Sequence, residues 1–161
     1  MTYIGDVPID NNSIKIMGVV NISPESYYKN SIKTSIDEIS SYAKKLANDG
    51  ADIVDIGAMS TAPYLNTMIS PDEEIFRLKK AIKTIKECCK LPISVDTPRS
   101  IVAEEAIKMG AQTINDVCGL KYDNKMAEIA SKYDIPVIIG AYEKNPSKLL
   151  KGKSFSTKKI L

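Results

Sequence analysis

Residues 91–116 read LPISVDTPRSIVAEEAIKMGAQTIND. An apolar run ends in Asp96, an amphipathic stretch follows Thr97-Pro98 and stops near Gly110, and a second apolar run ends in Asn115-Asp116. Short apolar runs without alternation suit strands buried on both faces, as in parallel sheets. The segment therefore reads as strand, helix, strand, with Pro98 placed to open the helix and Gly110 to close it.

The pattern spreads in both directions. IKIMGVVN (14–21), ADIVDIG (51–57) and IPVIIGA (135–141) are further apolar runs. From Ser35 to Asn48, apolar residues recur at Ile36, Ile39, Ala43, Leu46 and Ala47, with Ser35-x-x-Glu38 as a capping box. Residues 71–89 place Ile75, Leu78, Ile82 and Ile85 on one stripe, with Ser70, Pro71 and Glu73 at N-cap, N1 and N3. Residues 124–133 predict a shorter fourth helix, and a fifth begins near Ser156. GADIVDIG and GAQTIND repeat the same helix end, Gly-Ala turn and strand.

Alternation of this kind predicts a parallel α/β sheet. Two architectures compete: a doubly wound open sheet, which five strands can form, and a (β/α)₈ barrel, which takes ~250 residues. Length favours the open sheet. The polar residues favour the barrel, because Asn21, Asp55, Asp96 and Asn115-Asp116 all lie at or near strand ends, and a barrel gathers those ends at one mouth. Each Asp or Asn alone is equally a cap or turn former. A convergent set of amides and carboxylates suits a heterocycle rich in donors and acceptors.

The 161 residues suffice for one domain with its own core, and 43% hydrophobic with 26% charged residues is ordinary for a globular chain. No apolar run approaches the ~18 residues of a membrane span, and the N-terminus has no signal-peptide pattern. There is no histidine, which removes histidine-based triads and metal sites. Cys88, Cys89 and Cys118 are odd in number and two are neighbours, so a reducing, cytoplasmic setting is expected. The net charge of +2 is uneven: residues 144–161 hold six lysines and no acid. The C-terminal segment that contains it, 142–161, reads as a solvated basic loop leading into the fifth helix; no nucleic acid or membrane partner is expected.

Four loop segments carry a resemblance: GVVNISPESYY (18–28), DIGAMSTAP (55–63), ISVDT (93–97) and INDVCG (114–119). In order and spacing they resemble the pterin-binding motifs of the dihydropteroate synthase family. The resemblance implies a TIM-type (β/α)₈ barrel, of which residues 1–161 would form a single partial pterin-binding domain with about five strands and four to five helices. It implies an enzyme, a transferase joining 6-hydroxymethyl-7,8-dihydropterin diphosphate to p-aminobenzoate or a related arylamine with release of diphosphate. Asn21 would help hold Mg²⁺ and diphosphate, and Ser60 and Thr61 would lie near the diphosphate and the amine. Asp96, Asn115 and Thr61 would contact the pterin, and Asp55 and Asp116 would support the site or be structural.

The resemblance has departures. Ala62 stands where the family usually has Arg, and Ala58 and Met59 replace the usual Gly and Glu. These changes are compatible with a different amine, such as the ribosylated aminobenzene phosphate of archaeal pterin pathways. The family's later acidic strand end, pterin-contacting Lys and Arg-x-His have no counterpart in these residues. The chain is then expected to be a piece of a longer protein, to be completed by a second copy or another subunit, or to have closed as a smaller sheet. The alternative function is a pterin- or folate-binding module without synthase activity, or a fragment inactive without the rest of the barrel.

Overall fold

The computed structural model describes residues 1–23, 33, 35–59 and 69–141. The predicted fifth helix and the basic stretch lie outside them. Five strands follow one another with helices between: β3 (Met17–Asn21), α1 (Ile36–Asn48), β4 (Ile53–Gly57), α2 (Pro71–Cys88), β5 (Ile93–Asp96), α3 (Ser100–Met109), β6 (Thr113–Asp116), α4 (Met126–Tyr133) and β7 (Val137–Ile139). An antiparallel hairpin, β1 (Thr2–Ile4) and β2 (Val7–Ile9), precedes them. No strand is expected in this stretch from the apolar runs. Its signal was Gly5-Asp6 between two short apolar pairs, a two-residue turn with Gly5 at φ +60°.

The large sheet runs β3-β4-β5-β6-β7, every neighbouring pair parallel. Spatial order equals chain order, and α1, α2, α3 and α4 pack side by side in the same sequence. A doubly wound sheet reverses its strand order part-way. This sheet does not reverse, so the fold is a segment of a singly wound barrel, with five parallel strands and four helices among the described residues.

One face of the sheet is apolar and packs on the helices. Val20, Val54, Ile56, Val95 and Ile114 meet Ile39, Ala43, Leu78, Ile82, Ile85, Val102, Ala106 and Met126 in one core. Each fully buried Ile or Leu there contributes about 1.5–3 kcal/mol. The α2 stripe is as expected, with Ile75 partly buried at its start. On α1 burial begins at Ile39, one turn in; Ile36, the first helical residue, is exposed.

The helix ends follow local chemistry in part. Ser35 and Glu38 form the expected capping box. Ser70 accepts the Glu73 N–H, but Glu73 turns its carboxylate to Arg77 instead of back to the cap. The two Gly-Ala turns share one geometry: Gly50 and Gly110 take positive φ, and the Ala51 and Ala111 N–H groups reach back to the Leu46 and Ala106 carbonyls at 3.0 and 2.9 Å. Both alanines are buried, which drives the chain directly into β4 and β6.

Helix α3 starts later than Thr97-Pro98 suggested. The Thr97 hydroxyl is engaged elsewhere, and the Ser100 N–H is satisfied by Asp123 Oδ2 at 2.8 Å, from the β6–α4 connection. A cap supplied from 23 residues away has no local signature. Asp123→Ala should therefore destabilise the protein by about 0.5–2 kcal/mol, the usual value of a helix cap. Urea unfolding checks this, and an unchanged midpoint would count against a role for Asp123 at α3.

Candidate functional site

Side chains alternate along a strand, so every second residue faces away from the helices. Register then aligns these positions across the sheet. Val19, Asp55, Ser94 and Thr113 form one row. Asn21, Gly57, Asp96 and Asn115 form the next, at the C-terminal ends of the strands. Three polar residues that the sequence reading singled out thus share one row with the glycine of the Asp-Ile-Gly motif.

The lower row supports the upper one. Asp55 Oδ1 accepts the Ser94 hydroxyl at 2.6 Å, and Asp55 Oδ2 accepts the Asn115 side-chain N–H at 3.0 Å. These bonds orient the Asn115 amide: its nitrogen faces Asp55, which leaves its oxygen for a donor outside the network. Burial pushes the Asp55 carboxyl above the ordinary carboxylate range, and the bonds from Ser94 and Asn115 offset part of that rise. Ser94 escaped the sequence reading, although its place two residues before Asp96 puts it on the same face.

Asp96 is the strained member. Half-buried as a residue, it has its Oδ1 shut away from solvent with no hydrogen-bond partner. Its pKa is pushed up from the ordinary 3.8 to about 8, first by burial and then by the charges of Asp55, Glu74 and Asp116. A buried, unpartnered polar atom at a strand end makes Asp96 a candidate for a ligand contact.

Gly57 separates Asn21 from Asp96. A Cβ there would lie 3.0 Å from Asn21 Oδ1 and 3.8 Å from Asp96 Oδ2. Asp116, by contrast, faces the other way. Its carboxylate accepts the Cys118 and Leu120 N–H groups at 2.8 and 2.9 Å, and its carbonyl accepts those of Gly119 and Gly140. It builds the turn after β6 and ties down the end of β7. Cys118, in that turn, is buried, which raises its thiol pKa together with the nearby Asp116 and Asp96 charges. Ser60 and Thr61 lie outside the described residues, as does Ala62.

Comparison with known proteins accords with this geometry. The family model described as Pterin binding enzyme matches residues 17–160, and the chain belongs to that family. Within it, the similarity is to dihydropteroate synthases. The chain is 40% identical over 124 residues to the dihydropteroate synthase of Bacillus subtilis, covering 77% of this chain and 43% of that one. A dihydropteroate synthase from Coxiella burnetii, solved in complex with pteroic acid, superposes with a TM-score of 0.69 at 35% identity, covering 80% of this chain and 44% of that one. The Yersinia pestis dihydropteroate synthase, solved with a sulfonamide drug, gives a TM-score of 0.79 at 26% identity over 91% of this chain and 52% of that one. The chain spans about half the length of these relatives.

Two consequences can be measured. The folded chain holds a proton on Asp96 up to about pH 8, whereas the ordinary carboxyl loses it near 3.8. This group's contribution to stability is therefore greatest below 3.8 and is lost as pH rises toward 8. Asp96→Asn should gain on the wild type by up to about 1.4 kcal/mol per pH unit between pH 5 and 8. Urea unfolding at several pH values reads this, and a difference that stays constant would contradict a neutral Asp96. Separately, Gly57→Ala has no backbone penalty to meet beyond the strand's own, so its effect should fall on Asn21: little change in melting temperature, with a displaced Asn21 side-chain amide resonance in NMR spectra. An undisturbed resonance would mean that the close approach is not limiting.

Proposed function

We propose that this chain carries the pterin-binding part of a dihydropteroate synthase-type site, condensing 6-hydroxymethyl-7,8-dihydropterin diphosphate with p-aminobenzoate or a related arylamine. The observation that carries this reading is the row Asn21–Gly57–Asp96–Asn115, with Asp96 Oδ1 buried and unpartnered. Asp96 and Asn115 bind the pterin edge, and Asp55 keeps the Asn115 amide in the required orientation. Ser60 and Thr61 are assigned to the loop beside the diphosphate and the amine, with Thr61 also against the pterin.

The donor set fits Mg²⁺ carried on the substrate. Among the described residues, no group of three or more acidic, Cys or His side chains could hold a metal alone. Asn21 offers one hard amide oxygen at the rim, beside Gly57. When bound, Mg²⁺ would stabilise the charge of the departing diphosphate. The carbon–oxygen bond to diphosphate breaks, the pterin methylene takes on cationic character, and the arylamine nitrogen attacks it and then loses a proton. The residues in the row orient the ring for this attack and need no strong base to start it.

Half the relatives' length favours a second reading: a pterin-binding piece without turnover of its own. The outermost strands, β3 and β7, leave Val19 and Ile139 exposed, as is Ile16 just before β3, which supports further strands from a longer chain, a second copy or another subunit. Ala62, in place of the family's Arg, leaves the ribosylated amine as the other candidate. The free cysteines Cys88, Cys89 and Cys118 suit a reducing cytoplasm, and none of the described helices is long and apolar enough to cross a membrane.

Calorimetric titration with 6-hydroxymethyl-7,8-dihydropterin tests the proposal. The wild type should bind. At pH 9, where Asp96 is ionised, Asp96→Asn, shown to be folded by circular dichroism, should bind at least about thirtyfold more weakly, the lower end of the roughly 2–5 kcal/mol lost when one partner of a buried charged hydrogen bond is changed. Equal affinities would remove Asp96 from the site. Release of diphosphate with p-aminobenzoate but not with the ribosylated amine, or the reverse, would identify the amine.

A further inference from the structure

Glu74 stands in the first turn of α2, where an acid ordinarily faces water and the helix dipole favours it. Here it is wholly buried. Its Oε1 accepts the Thr97 hydroxyl at 2.7 Å, and its Oε2 accepts Arg99 Nη1 at 2.7 Å. The Arg99 backbone N–H donates to Thr97 Oγ1 at 3.3 Å, closing a ring of three residues. Thr97 also donates its own N–H to the Asn115 carbonyl at 3.2 Å. It is thus the joint between Asp96, its chain neighbour, and Asn115 on the next strand.

We infer that Glu74 is a positioning residue, which through the Thr97 hydroxyl fixes the end of β5 and so the spacing of Asp96 from Asn115. Burying a carboxylate with a guanidinium is poor value as stabilisation, since apolar residues of the same volume do as well or better. What the ring supplies is geometry. Thr97 Oγ1 both donates and accepts, so the hydroxyl has a single orientation, and both Glu74 oxygens are used. The same helix also holds the exit of β4: Arg77, oriented by Glu73, donates to the Ala58 carbonyl at 3.3 Å. Two turns of α2 therefore hold the strand ends on either side of it, independently of any ligand contact.

The ligand side of this inference rests on the pterin reading, so the test has an arm that does not. Thr97→Val removes the hydroxyl at nearly constant volume, and Thr97→Ser keeps it. In Thr97→Val, amide hydrogen exchange at positions 97 and 99 should quicken at least tenfold while positions 54 and 56 in β4 stay as in the wild type; Thr97→Ser should restore protection. In titrations with 6-hydroxymethyl-7,8-dihydropterin, Thr97→Val and Glu74→Gln should raise Kd about tenfold and Thr97→Ser should match the wild type. A node that only stabilises the fold would lower the melting temperature and leave the Kd of the folded protein unchanged, which would overturn the inference. Unchanged exchange in Thr97→Val would overturn it as well. A wild type that binds no pterin would refute the pterin reading, and exchange alone would then decide whether the ring fixes the end of β5.

Discussion

A single carboxylate, that of Asp55, joins three strands from inside the sheet. It takes one hydrogen bond from Ser94 on β5 and one from Asn115 on β6. A buried carboxylate with both oxygens engaged is tolerable; one left open is costly. The register that supplies these partners is the register that sets Asn21, Gly57, Asp96 and Asn115 in line one step above. Slipping β4 by one residue would take Asp55 from both partners, slipping β5 or β6 would take away one, and each slip would turn that strand's rim residue toward the helices. The apolar outer row of Val20, Ile56, Val95 and Ile114 enforces the same register from the other side.

Carboxyl groups gather at and behind the strand ends in a protein without histidine. Asp55, Glu74 and Asp96 are all held above their ordinary pKa values, in each case mainly by burial. They differ in what offsets it. Glu74 has Arg99 and Thr97, and Asp55 has two neutral donors, whereas Asp96 has only like charges around it. The least compensated group is therefore the one that faces the mouth. Asp55 and Glu74 are satisfied within the protein, whereas Asp96 Oδ1 is buried without a partner.

The chain belongs to the pterin-binding family, and its likeness is to dihydropteroate synthases over about half their length. The apolar outermost strands mark where the sheet is incomplete among the described residues. The second loop, with Ser60 and Thr61, lies outside the described residues.

Much of the fold was legible in the residues. The apolar runs ending in Asn21, Asp96 and Asp116, the capping box of Ser35 and Glu38, and the Gly-Ala turns fixed strands, helices and their order, because each depends on neighbours within a few positions. Strand-end polarity even favoured the barrel over the open sheet. Only the tertiary structure decided the roles of the acids. Asp55, Asp96 and Asp116 are alike in sequence, each near the end of an apolar run, yet one braces an amide, one is left open and one builds a turn. Glu74, which reads as a solvated first-turn acid, is buried against Thr97 and Arg99. Asp116 meets donors two and four residues on, but for Asp55 and Glu74 the hydrogen-bond partners lie 23 to 60 residues away, and no local pattern encodes which distant donor a carboxylate will meet.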